Sequence, residues 1–92
     1  MDPLDLNTNA LLVEPTIQDL ALNRLAEEAK RKIEERAGFR LSLATINLEK
    51  KKFDLYHLPS STIIMIQHAD KVAEEVYLDF AERINAILEK AD

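Results

Sequence analysis

Three observations predict a single small α+β domain, in which two long helices pack on a short antiparallel sheet. A helix-forming stretch ends at the only glycine of the chain, the apolar period then drops from 3.6 residues to two, and the 3.6 period returns towards the end. Ninety-two residues are enough for one core and no more. Hydrophobic residues make up 47% of the chain, with three Phe, two Tyr and no Trp, so that core is built from aliphatic side chains.

Residues 1–14 read as a flexible arm, in which "ALLVE" is a candidate short edge strand. The folded domain is expected over residues 15–92. Its first helix runs from Pro15 to Ala37: Pro15 suits a first turn, Thr16 and Asp19 have the spacing of a capping box, and Gly38 stands where a left-handed C-cap is wanted. Leu22, Ala26, Ala29 and Ile33 share one stripe at 100° per residue, while Ile17, Leu20, Ala21 and Leu25 widen the apolar surface around the first two turns.

After Gly38, "FRLSLAT" sets Phe39, Leu41, Leu43 and Thr45 against Arg40, Ser42 and Ala44, the alternation of a half-buried strand. Ile46 and Leu48 fall on the opposite parity, which suggests a bulge or a second buried face. "FDLYHL" and "STIIMIQ" follow, rich in aromatic or β-branched residues and separated by Pro59 and two serines. The expected sheet is a three-stranded meander with strands near 39–48, 53–58 and 62–67, and a hairpin turn at 49–52. The alternative is an all-α fold with a helix through Leu41, Ala44, Leu48, Leu55 and Leu58, which has to carry Lys52 on its apolar stripe. From Ala69 to the end, Val72, Ala73, Val76, Phe80, Ile84 and Ile87 form a clean helical stripe, with Leu78 pointing away from it.

The order helix, three strands, helix is also that of a double-stranded-RNA-binding domain. Such domains place a basic cluster at the start of the second helix, aimed at phosphates. Here that position reads "HADKVAEE", with Lys71 alone among acids, and the chain is not read as a member.

The formal charge of −5 argues against general binding to nucleic acid or anionic membranes, which requires a surplus of bases at the contact. The charge is unevenly spread: residues 1–23 hold four acids and no base, residues 24–52 nine bases and five acids, and residues 53–92 three bases and eight acids. The middle is therefore +4 between flanks of −4 and −5. Its candidate anion contacts are Arg31, Arg36, Arg40, Lys50, Lys51 and Lys52. Most of these have an ordinary reading. Glu27 with Arg31 and Glu28 with Lys32 make favourable i, i+4 pairs on a solvated helix face, and a lysine-rich turn keeps a hairpin tip soluble and unpaired.

Catalytic constellations are not apparent. The chain has no cysteine and one glycine, which leaves out disulfides, thiolate chemistry and glycine-rich phosphate loops. Ser60 and Ser61 read as turn residues, and the adjacent carboxylates at Glu27–Glu28 and Glu74–Glu75 lie on polar helix faces with nothing to shift them. His57 and His68 sit in different elements and do not define a metal site. No enzyme activity and no cofactor are expected. No apolar run is long enough to span a bilayer and the N-terminus is acidic where a signal peptide is basic, so the expected location is the cytoplasm.

The function expected from the sequence is protein binding, as a regulator, inhibitor or complex subunit, with a nucleic-acid accessory role through residues 24–52 as the alternative. The wide apolar surface of the first helix and the +4 segment between acidic ones point to a homodimer. Its expected interface residues are Ile17, Leu20 and Leu25, with Leu78 as a further exposed contact.

Overall fold

The computed structural model describes residues 16–90. The arm expected over residues 1–14, with its candidate edge strand, lies outside them. Within them the order is α1 (Ile17–Ala37), β1 (Leu41–Asn47), β2 (Lys52–His57) and α2 (Ile63–Glu89). The coarse class holds: two helices and an antiparallel two-stranded sheet make an α+β domain.

Helix α1 begins and ends where its sequence signals stand. The Thr16 hydroxyl accepts a hydrogen bond from the Asp19 N–H at 3.0 Å, and the Asp19 carboxylate accepts one from the Thr16 N–H at 3.3 Å. Two orphan donors of the first turn are thereby satisfied. At the other end Gly38 adopts φ 89°, and its N–H donates to the Glu34 carbonyl at 2.9 Å. A side chain at that φ is strained, which is why the glycine stands there.

The chain then reverses into the hairpin. Asn47 and Lys52 close it, so the turn is Leu48–Lys51, one residue earlier than the expected 49–52: Lys50 and Lys51 lie in it and Lys52 is the first residue of β2. Asn47 Oδ1 accepts from the Lys50 N–H at 2.9 Å, and Asn47 Nδ2 donates to Asp54 Oδ2 at 3.1 Å. Lys51 completes the turn at φ 56°.

Two sequence expectations are corrected. The alternation in β1 breaks between Leu41 and Leu43, where the register shifts, and not near Ile46. The extra residue, Ser42, sends Leu43 outward beside Tyr56, while Leu41, Ala44 and Ile46 face the helices. The third strand is absent as well. Residues 63–67 of "STIIMIQ" are the first turns of α2, which starts six residues before the expected Ala69. Thr62 is its N-cap, and its hydroxyl accepts from the Met65 N–H at 3.2 Å. The meander is therefore a single hairpin, and the element order that resembled an RNA-binding domain becomes α-β-β-α.

The core lies between the hairpin and the helix pair. α1 covers β1, α2 covers β2, and the two helices pack on each other. Ala29, Ile33, Ala69, Val76 and Ile84 are wholly buried. Phe53, on the inner face of β2, meets Tyr77 and Phe80 edge-on, with ring centroids 5.2 and 6.1 Å away. At the surface, Arg83 clamps Glu28 with bonds of 3.0 and 2.8 Å and lies 5.0 Å over the Phe80 ring, and Arg36 meets Asp79 at 3.1 Å. These two pairs, Glu28 with Arg83 and Arg36 with Asp79, run in the order of antiparallel helices.

Candidate functional site

The residues expected to bind anions fall into two separate groups. Arg31 and Arg40 line a shallow recess at the end of α1 together with Glu34 and Glu35, and Arg36 nearby is paired with Asp79. Lys50, Lys51 and Lys52 lie at the other end of β1, a strand of seven residues and roughly 23 Å. Lys52 is 3.9 Å from Asp54. A segment that is continuous and basic in sequence is thus divided in space and interleaved with carboxylates.

The expected interface residues separate too. Leu25 is 5% exposed and belongs to the core, so it is withdrawn as a surface contact. The physical reason is that the first half of α1 serves two neighbours, α2 and β1, and needs a wider apolar arc than a helix with one neighbour. Ile17 at 86% and the half-exposed Leu20 remain outside, at the N-terminal end of α1. Leu78 is 76% exposed on the middle of α2.

Two apolar groups were missed. Ile63 and Ile64, the first residues of α2, are 72% and 77% exposed, and Leu58 just before them is partly so. They were hidden by the strand reading of "STIIMIQ". On the outer face of the sheet Leu43 and Tyr56 stand opposite each other, both half-exposed, a consequence of the Ser42 bulge.

Recesses among the described residues are shallow. One of about 320 Å³ lies between Asp19, Leu22 and Asn23 of α1 and Thr45, Ile46 and Leu48. Among the described residues no three His, Asp or Glu side chains converge as metal ligands. His57 faces inward opposite Leu41, with its Nδ1 buried and without a hydrogen-bond partner, and His68 is exposed on α2. No helix among the described residues is long and apolar enough to cross a membrane.

The charged groups that are perturbed are structural. Glu28, expected to have nothing to shift it, is instead held below the ordinary glutamate value by its bond to Arg83, a partner from the other helix whose own pKa is raised by the same contact. For Glu34 burial is the largest influence and raises its pKa, but the Leu41 N–H and Lys30 together outweigh it and the net shift is downward. The chain matches no protein-family model, no curated protein and no solved structure.

Proposed function

We propose that the chain is a small non-enzymatic protein-interaction module, a regulator, inhibitor or complex subunit that acts by binding a partner protein and also self-associates as a homodimer. The supporting observation is the set of large apolar side chains left in solvent around a closed core: Ile17, Ile63, Ile64 and Leu78 each keep more than two thirds of their surface exposed. Scattered single residues of this kind are ordinary. Here they recur on the outer faces of both helices, as interaction surfaces do.

The self-association surface is the N-terminal end of α1. From two copies, Ile17 buries a nearly whole side chain at about 2 kcal/mol and the half-exposed Leu20 gains about 1 kcal/mol, a gross ~6 kcal/mol against an association cost of about 4–15 kcal/mol. The dimer is consequently weak and depends on concentration. Sedimentation equilibrium at tens of micromolar tests it: the expected species is twice the 10.5 kDa chain mass, and a persistent 10.5 kDa species refutes the dimer. Leu20→Asp is expected to return the monomer mass with helical content unchanged.

A further inference from the structure

We infer that the solvent-facing side of α2 is a docking surface for a basic amphipathic helix of a partner protein, with Ile64 and Leu78 as its apolar anchors and Glu74, Glu75 and Glu82 as its charge partners. The inference rests on the protein-binding reading above and gives that partner a chemistry.

The geometry comes from the helix period. The buried residues of α2, from Ala69 through Val72, Ala73, Val76 and Phe80 to Ile84, define its inner face. Ile64, Lys71 and Leu78 are seven residues apart and follow one line on the opposite face, and all three are exposed. Fourteen residues place the two anchors roughly 21 Å apart, two heptads of a helix–helix seam. Between and beside them stand Asp70, Glu74, Glu75 and Glu82, all exposed. No ion pair among the described residues engages any of the four.

Charge selects the occupant. A second copy laid antiparallel about Lys71 would match Ile64 to Leu78 at both ends, which is sterically apt. It would also oppose the four acids and one base of each copy, giving eight carboxylates and two ammonium groups along one seam. Like charges facing each other across a helix pair oppose association. The chain's own α1 is a poor complement, since its exposed Arg24, Arg31 and Lys32 alternate with Glu27 and Glu35, and Arg36 is already paired. A foreign helix with apolar residues at heptad spacing and Arg or Lys beside them satisfies both the anchors and the acids. Two heptads bury less than the roughly 800 Å² per partner of a standard complex, so the affinity is modest and falls with salt.

The test uses the full chain and two labelled helical peptides of about 21 residues, with leucines at the a and d positions and either arginine or glutamate at e and g. Fluorescence anisotropy is read near 0.15 M salt, where weak surface attraction is screened. The expected result is micromolar binding of the arginine peptide only, weakened about tenfold or more by Leu78→Asp and by Glu74→Lys with Glu75→Lys, a loss of about 1.4 kcal/mol per decade. Absence of arginine-peptide binding, equal binding of both peptides, or indifference to both sets of substitutions overturns the proposal. The substituted residues are exposed, and circular dichroism checks that each variant folds. Sedimentation separates the two readings. A dimer that persists and is split by Leu20→Asp while the peptide fails leaves the dimer standing and removes only the α2 surface.

Discussion

The Glu34 carboxylate accepts a hydrogen bond from the Leu41 backbone N–H at 2.8 Å, which ties the last turn of α1 to the first residue of β1. Lys30, one turn earlier, sits 3.2 Å from the same carboxylate oxygen. An N–H taken up by a side chain is withheld from any incoming strand, and the register break at Ser42 lies at the next residue along β1. The start of β1 is thus closed to edge pairing by the helix that precedes it.

Because the Glu34 side chain is only 19% exposed, losing its charge is expected to be felt. A bond to a charged group contributes about 1.5–3 kcal/mol, so Glu34→Ala should cost about 2 kcal/mol and lower Tm by roughly 8–16 °C. Its pKa lies below the ordinary 4.5 in the folded state, so its stabilisation is complete above that value and is lost as pH falls through the lower, folded pKa. Urea midpoints measured from about pH 6 down to about pH 2 should therefore decline less steeply for Glu34→Gln than for the parent. Parallel decline of the two proteins would mean that Glu34 carries no linked proton.

Among the described residues two occupy the left-handed region, one a glycine and one not, and opposite substitutions should have opposite signs. Gly38 at φ 89° has open space around a would-be Cβ, so Gly38→Ala meets no clash and carries only the backbone cost, about 1 kcal/mol of destabilisation. Lys51 at φ 56° already carries that cost in the hairpin turn. Lys51→Gly should gain up to about 0.5 kcal/mol, since glycine's extra freedom when unfolded offsets part of the relief. Thermal melts of the two variants check both signs.

Much of this fold is legible from residues whose chemistry permits one reading. Thr16, Asp19 and Gly38 bracket α1, and the lysine tip separates two apolar runs into a hairpin. The third strand failed because four consecutive apolar residues, Ile63 to Ile66, suit a strand or a helix equally by period. Continuity decides it. "QHAD" contains no glycine or proline to separate a strand from the helix at Ala69, and Thr62 is a better N-cap than any residue between them. Leu25 failed for another reason: which neighbours share a helix's apolar arc is a tertiary fact. The Ser42 bulge has no local signal, and the exposure of Leu43 followed from it.

Phe53 is the one aromatic of the hairpin that reaches the helix α2 rings, and it joins the sheet to the helix layer. Phe53→Ala should cost about 3–5 kcal/mol, a large share of the stability of a domain this small. Phe53→Leu keeps most of the volume and loses the edge-on contacts with Tyr77 and Phe80, for a smaller cost of about 1–2 kcal/mol. Denaturant midpoints in that order support the central role of this residue. An Ala variant as stable as the Leu variant would show that the site collapses around the loss.

None of residues 63–68, the first two turns of α2, is buried. Those turns are held by their own hydrogen bonds, beginning with the Ile66 N–H to the Thr62 carbonyl at 3.0 Å, and by the Thr62 cap. From Ala69 onward the core holds the helix whatever happens before it. Thr62→Ala removes the cap, worth about 0.5–2 kcal/mol to a helix end. The loss should appear mainly as local fraying, because opening two unburied turns is easier than unfolding the domain. Hydrogen exchange should therefore quicken at residues 66–68 and stay unchanged at Val76 and Ile84, with Tm lower by only a few degrees. Ile64 rides on those turns, so the arginine peptide should bind this variant more weakly even though every residue of the docking face is still present. A uniform rise in exchange along all of α2 would show instead that the cap supports the whole helix, and that Ile64 is not presented by an independently held helix end.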